Sequence, residues 1–423
     1  MSVLIRRMLN SAGVQLFGKA LAVTTGIVLA RTLGPEDYGV YSLCLSVIAI
    51  FMLPVIAGVP NLIIREISYY LCEKDWGRYI GVIKWSRAYV LLTSACMVVV
   101  MVFFYKTSFF SESSKSILLI AAILIPIKGL IVQQGAILNG LSKPSLSLFV
   151  LNVASPLIML AFITYDYLWS PVEESLIRFI YYLVIANVIG AIISEVILKK
   201  AVLEKTLPEQ PKYELSKWNK AILPFSLMAI IGTLNIELSS VFLGYFSSKE
   251  SVGYFKVAMQ GVGLVALSLT SINAVIGPNI ASTYKLGNLE VTQQILRQSV
   301  RMSSIIGIPF LLILCVFGEE VIILLFGKEY IPSVIIILIL SVGQVFNVIF
   351  GSVNLILNMI GKEKEAMKII TCTLFINLIL LLVLVPKYHE VGAALSTSIS
   401  MVFWNVLMSL KIRKEAKLIS WLH

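Results

Sequence analysis

The sequence predicts an all-α polytopic membrane protein, with twelve transmembrane helices in two pseudo-symmetric six-helix lobes around a central cavity. Three observations carry that prediction. The 423 residues are 58% hydrophobic and only 13% charged, with a mean hydropathy of +0.92, whereas a soluble domain carries about 25% charged residues. The charges sit in short clusters between apolar runs of about 20 residues, the length that crosses a bilayer as a helix. The chain also repeats itself. Residues 30–41, ARTLGPEDYGVY, recur as 244–255, GYFSSKESVGYF, pairing Glu36 with Glu250, Gly39 with Gly253 and Tyr41 with Phe255 at an offset of 214. The same offset pairs Gly18 with Gly232 and Arg87 with Arg301. A slightly larger one pairs Pro60-Asn61 with Pro278-Asn279, and residues 139–143 with 358–362. Internal duplication with a site at the repeat interface is a common plan for membrane transporters.

In chain order, the spans are expected at 10–31, 38–58, 82–105, 116–138, 146–166, 176–198, 220–245, 254–277, 299–318, 332–357, 366–385 and 391–411. Six fall in each copy, so both halves cross in the same sense, as parallel repeats about an axis along the membrane normal. The lobes are read as 1–205 and 220–423, joined by a cytoplasmic linker at 206–219 within the basic stretch Lys199 to Lys220. That linker connects and orients the lobes, or serves regulation. With the N-terminus inside, one face collects 24 of the 34 basic residues, the other 7, and three lie within spans. By the positive-inside rule both termini are cytoplasmic. The net charge of +11 is then a property of cytoplasmic loops, and no nucleic-acid partner is implied. The first span is too long for a signal-peptide core and lacks a small-residue cleavage site.

Ionisable residues inside spans cost about 2.5–3.5 kcal/mol on insertion scales and are functional hypotheses by default. Lys19 sits in the first span beside a small and polar stripe of Ser11, Gln15, Gly18, Ala22 and Thr25. In the seventh span Thr233, Glu237, Ser240 and Gly244 share one face. Lys19 and Glu237 therefore occupy matching faces of matching helices, as a structural ion pair or around a shared cavity. Lys128 follows Pro126 in the fourth span. Its repeat equivalent, Asn347, belongs to the series Gln344, Asn347, Gly351, Asn354 and Asn358, one face of the tenth span. Interhelical hydrogen bonding and sugar binding explain that series equally well. Lys256, Arg65 and Glu195 lie near span ends, where snorkelling to the interface competes with function. Pro54, Pro126, Pro156 and Pro309 fall inside spans and bend them.

Intramembrane charge is thus cationic on balance, which suits an anionic ligand, with diphosphate the natural anion for a membrane-embedded carrier. Five scattered cysteines and two histidines argue against disulfides, a metal cluster or a histidine-based active site. No phosphate loop, dinucleotide fingerprint or nucleophile elbow is present, so neither an enzyme nor a cofactor is expected.

Ala30-Arg31-Thr32-Leu33-Gly34-Pro35-Glu36-Asp37-Tyr38-Gly39-Val40-Tyr41, with Gly-Tyr-Phe-Lys-Val-Ala at 253–258, resembles the signature of the Wzx-type polysaccharide repeat-unit flippases. These are members of the multidrug/oligosaccharidyl-lipid/polysaccharide exporter superfamily. The resemblance runs through the whole chain in length, span number and repeat placement. It implies a V-shaped pair of six-helix bundles in the cytoplasmic (inner) membrane. It implies flipping of undecaprenyl-diphosphate-linked oligosaccharide by ion-coupled alternating access, with polysaccharide polymerase and chain-length proteins as partners. Lys19 and Lys128, with Arg65 and Lys256, would attract the diphosphate, Asn347 the sugar, and Glu237 would pair with Lys19 or carry a coupling proton. The signature itself reads as structural: Gly34-Pro35 ends one helix and Gly39 opens the turn into the next. Drug-exporting members typically carry an acidic residue in the first span, where this chain has Lys19, and lipid II flippases usually have fourteen spans. The alternatives are an ion-coupled exporter of small amphipathic compounds and a non-transporting membrane scaffold for polysaccharide enzymes.

Overall fold

The computed structural model describes residues 3–105, 112–169, 176–203 and 209–422. Lys106, and Lys205 and Pro208 of the linker with the lobe boundary at 205/206, lie outside the described residues. Among the described residues the chain is helical throughout, without strands. In order, the helices are α1 (Val3–Phe51), α2 (Leu53–Ile56), α3 (Val59–Glu73), α4 (Trp76–Tyr105), α5 (Glu112–Ala122), α6 (Leu124–Gly140), α7 (Pro144–Phe149), α8 (Ser155–Trp169) and α9 (Leu176–Leu203). They continue as α10 (Leu215–Phe246), α11 (Lys249–Lys285), α12 (Leu289–Val316), α13 (Gly318–Leu325), α14 (Ser333–Phe350), α15 (Val353–Met359) and α16 (Glu363–Ala416).

Nine helical stretches among the described residues are long and apolar enough to cross a membrane. Two of them, Asn10–Phe51 with 42 residues and Glu363–Ala416 with 54, exceed the roughly 20 residues that one crossing needs. Each carries an internal break where the sequence separates two spans. In α1 the break is Gly34, at φ 70° and ψ 173°, and Pro35 restarts the helix. In α16 it is His389, at φ 49°.

Two compact units account for the chain. The first comprises residues 1–33 and 43–237, the second 34–42 and 238–423. In the first, α6 is the central helix: it packs on α3, α4 and α9 and buries Ile125, Ile131, Gln133, Gln134, Ile137 and Leu138 among others. In the second, α14 packs on α11, α12 and α16. Large apolar side chains left exposed, such as Phe103, Ile192, Ile305 and Phe375, lie on the long helices, as expected where the surrounding solvent is lipid.

Three sequence expectations are corrected. Residues 59–73 form α3, not a loop. Its Gly58 N-cap takes φ 77° and Pro60 sits in its first turn, and one face buries Leu62, Ile63, Ile67 and Tyr70. The polar series of the tenth span does not share one helix face, because Gly351 (φ 66°, ψ −156°) separates α14 from α15. Gly39 opens no turn. It lies within α1, where a Cβ would collide with the carbonyl oxygen of Lys249. At its repeat equivalent, Gly253, a Cβ would collide with the carbonyl oxygen of Pro35. Pro35 and Lys249 are themselves repeat equivalents, so the two copies of the signature cross backbone to backbone in a symmetric contact within the second unit. Tyr38 is buried beside it, edge-on to Tyr330 at 6.4 Å, and Tyr254 and Phe326 meet the same ring at 6.2 and 6.1 Å. Lys249 Nζ stands 3.6 Å from Glu36 Oε1. The signature is therefore a packing element.

Candidate functional site

Lys128 lies on the central helix of the first unit, four residues into α6 and half-buried. The helix approaches its neighbours closely there. A Cβ on Gly129 would meet Val55 and Val90 at 2.9 and 3.0 Å and Ser94 Oγ at 3.5 Å. Ser94 Oγ is buried and has no hydrogen-bond partner among the described residues. Among the described residues Lys128 likewise has no ion-pair or hydrogen-bond partner. The residue next to Lys128 thus packs against a buried hydroxyl that has spare hydrogen-bonding capacity among the described residues.

Lys19 lies half-buried in α1, and the local packing of its neighbour explains a distortion elsewhere. Pro156 has no N–H to bond the carbonyl four residues earlier, Asn152, and its ring would clash with it. The chain answers with a π turn at Val150–Ala154. Asn152 then presses on α1 at Gly18, where a Cβ would meet its Cβ at 2.8 Å and its carbonyl oxygen at 3.0 Å. Ser11 and Ser145 join the same two segments through their hydroxyls at 3.0 Å. The small and polar stripe of α1 is thus a close-approach face, as its composition predicts.

Arg65 is not an open cation. Its guanidinium donates to Glu66 Oε1 at 2.7 and 3.0 Å. Glu66, which the sequence reading passed over, has only 3% of its side chain exposed and anchors a network. Lys217 Nζ lies 3.0 Å from Glu66 Oε2 and 3.0 Å from Glu214 Oε2. The Tyr70 hydroxyl donates to Glu214 at 2.9 Å and accepts from Trp218 Nε1 at 3.1 Å. Arg78 Nε reaches Glu214 Oε1 at 3.2 Å. The Lys212 N–H donates to the Gly77 carbonyl at 2.9 Å. The described part of the linker, from residue 209, and the start of α10 are therefore bound to α3 and α4. Burial opposes ionisation of Glu66, but donation from Lys217 and Arg65 outweighs it and holds the carboxyl below the usual range. Glu214 is also held below it: burial opposes ionisation, and Lys217 and Tyr70 prevail. The Lys217 ammonium is pushed up against a desolvation penalty by its bonds to Glu66 and Glu214. Once these segments are known to be helical, Ile63, Glu66, Ile67 and Tyr70 share a face, as do Glu214, Lys217 and Trp218.

Glu195 does not snorkel. It accepts from Arg87 Nη2 at 2.5 Å and from Gln134 Nε2 at 2.8 Å, tying α4, α6 and α9 together. Glu237 is half-buried in α10 and is the last residue of the first unit. Lys256, on α11, and Asn347, on α14, belong to the second unit and are half-buried. Asn347 donates to Gln344 Oε1 at 3.1 Å. The Ser352 hydroxyl donates to Asn273 Oδ1, and the buried Oδ1 atoms of Asn354 and Asn358 accept nothing among the described residues. Of the six predicted positions, Lys19, Lys128, Arg65 and Glu237 fall in the first unit and Lys256 and Asn347 in the second.

A duplicated chain, helical and without strands among its described residues, with long apolar helices and lysines carried inside them, is a multi-pass membrane protein. Known proteins sharpen that class. The model of the family described as "Polysaccharide biosynthesis protein" matches residues 28–335, and the chain belongs to that family. The chain is 31% identical over 180 residues to the capsular polysaccharide biosynthesis protein CapF of Staphylococcus aureus, covering 42% of this chain and 45% of CapF. It is 27% identical over 173 residues to the probable flippase AglR of Haloferax volcanii, covering 40% and 36%. The chain thus spans less than half the length of these relatives. Its fold is similar to that of the lipid II flippase MurJ in an inward closed conformation (TM-score 0.75, 16% identity, 95% and 87% of the two chains). It is equally similar to an inward-facing multidrug resistance MATE family transporter of the MOP superfamily (TM-score 0.75, 14% identity, 96% and 98%).

Proposed function

We propose that this protein flips undecaprenyl-diphosphate-linked oligosaccharide repeat units across the cytoplasmic membrane for surface polysaccharide synthesis, by ion-coupled alternating access. The observation that carries the proposal is Lys128. A family of polysaccharide biosynthesis proteins here carries a transporter-like fold with a lysine in the second turn of the first unit's central helix, inside an apolar span, at a cost that function must justify. A lysine ammonium meets diphosphate as a compact point charge. Lys19 supplies a second cation, with Lys256 and the partly neutralised Arg65 as lesser contributors. Asn347 and its neighbours suit sugar hydroxyls. Glu237 pairs with Lys19 or carries the coupling proton, so that its protonation biases the open states through differential affinity. Twelve crossings in two six-helix lobes follow if α1 and α16 each cross twice and α11 crosses as well. The lobes then divide at 205 and 220, with both termini cytoplasmic.

The test is complementation of a strain lacking its own repeat-unit flippase. Restored surface glycan with a falling pool of lipid-linked intermediate supports flipping. The MATE-like fold keeps export of small amphipathic compounds as the second reading. That reading predicts drug hypersensitivity on deletion with unchanged glycan.

A further inference from the structure

At the start of α12, a cleft of about 630 Å³ is lined by Gln293, Gln294, Arg297, Gln298 and Arg301 on one side and by Lys417 on the other. It lies wholly within the second unit. Its far wall is a folded tail, fixed in four ways. Gln293 clamps Ile419 twice, donating to its carbonyl at 2.9 Å and accepting from its N–H at 2.8 Å. Ser409 and Ser420 share a hydrogen bond at 2.7 Å. The Leu422 N–H donates to the Ile349 carbonyl at 2.9 Å. The Arg413 guanidinium lies 5.7 Å from the centre of the Trp421 ring. The cleft is therefore preformed, so a ligand would not have to order it.

Its surroundings define the ligand. Arg297 and Arg301 stand one turn apart on α12 and both are exposed, as is Lys417. Glu290, two turns before Arg297, also lines the cleft, and the balance stays positive. Directly after Arg301 the exposed surface turns apolar: Met302, Ile305, Ile306, Leu312, Ile313 and Val316 are more than half or about half exposed. At about 1.5 Å per residue, the change from guanidinium to exposed isoleucine takes only about 6 Å. That is the profile of the boundary between headgroups and acyl chains. Arginine forks match phosphate oxygens bidentately, glutamine amides suit the glycerol and ester oxygens, and basic pockets at this depth recognise anionic lipid headgroups. We propose that this cleft holds the headgroup of an anionic phospholipid, with its acyl chains along the exposed apolar face of α12. The assignment is independent of what the protein transports.

Full-length protein in mixed micelles of phosphatidylglycerol and phosphatidylethanolamine, followed by native mass spectrometry of the retained lipid, tests this. The wild type is expected to retain phosphatidylglycerol in preference. Each cation removed should weaken that retention about fivefold, so Arg297→Gln/Arg301→Gln/Lys417→Gln together should weaken it about a hundredfold. The single variant Lys417→Gln, on the tail, reads the fivefold step should the triple variant fail to fold. A control variant, Lys364→Gln/Lys368→Gln/Lys414→Gln, should keep the preference. Equal retention of both lipids by the wild type, unchanged retention in the cleft variants, or equal loss in the control would overturn the proposal. So would binding of inorganic phosphate alone that displaces the lipid, since the site would then take a soluble anion.

Discussion

Glu66 brings a negative charge into a helix-packed interior, and Lys217 and Arg65 compensate it there. Removing one partner of such a pair leaves the other inadequately compensated. Because the Lys217 side chain is 47% exposed, the loss is expected at about 1–2 kcal/mol for Lys217→Met, read as a lower melting temperature in detergent. Glu66 and Glu214 titrate below the usual carboxylate range. Their contribution is present above that range, near pH 4 for an unperturbed carboxyl, and is lost as pH falls through their lowered values. Lys217 is raised, so its contribution persists through neutral pH and is lost only above the ordinary lysine range. Acidification below about pH 4 should therefore loosen the linker from α3 and α4 and expose it to a low-pH protease such as pepsin. Glu66→Gln should flatten that acid limb, and an unchanged acid limb would refute the assignment. Lys19 and Lys128 were legible in the sequence because a charge inside an apolar run announces itself. Glu66 was not, because α3 carries a mixed polar pattern that reads as a basic loop until its buried face is seen.

The duplication can be tested at the scale of single elements. After α6, the N–H groups of Leu141, Ser142 and Lys143 donate to the carbonyls of Ile137, Asn139 and Leu138. After α15, Ile360, Gly361 and Lys362 donate to Ile356, Asn358 and Leu357 in the same pattern, 219 residues later. Both turns need a left-handed residue. The second has Gly361 at φ 75°, while the first holds Ser142 at φ 60°. A side chain in that region costs on the order of 1 kcal/mol. Ser142→Gly should thus stabilise by up to about 1 kcal/mol, and Gly361→Ala should destabilise by a similar amount, both read from thermal melts. No other contact intervenes at Gly361, where a Cβ meets nothing within 4 Å. The signature crossing is stricter. Gly39→Ala or Gly253→Ala drives a methyl into a backbone carbonyl and should cost about 3 kcal/mol or more, visible as lost folded protein. The repeat was legible because turn and glycine positions survive where apolar residues interchange freely. The break at Gly351 and the helices α3 and α13 were not, since hydropathy does not distinguish a straight apolar helix from a broken one.

For the whole molecule, the proposed function is movement of an anionic, lipid-borne cargo, and its site is the intramembrane lysines. Lys19→Ala and Lys128→Ala should each abolish surface polysaccharide while the protein still reaches the membrane. Substitution of Lys414, on the basic segment ending α16, should leave it intact. Wild-type glycan in both lysine variants at matched expression would remove them from the transport path. A protein that acts only as a scaffold would show the reverse, silent lysines and sensitivity to loop deletions, for example in 205–217. The measurement that bears most directly on the central claim is flipping itself. Protein is reconstituted in vesicles that carry fluorescent lipid-linked oligosaccharide from its own host, and an impermeant quencher is added outside. Quenching that proceeds beyond the outer leaflet with the wild type, and stops at the outer leaflet with Lys128→Ala, is the predicted result. Wild-type vesicles that quench no further than protein-free ones would contradict it.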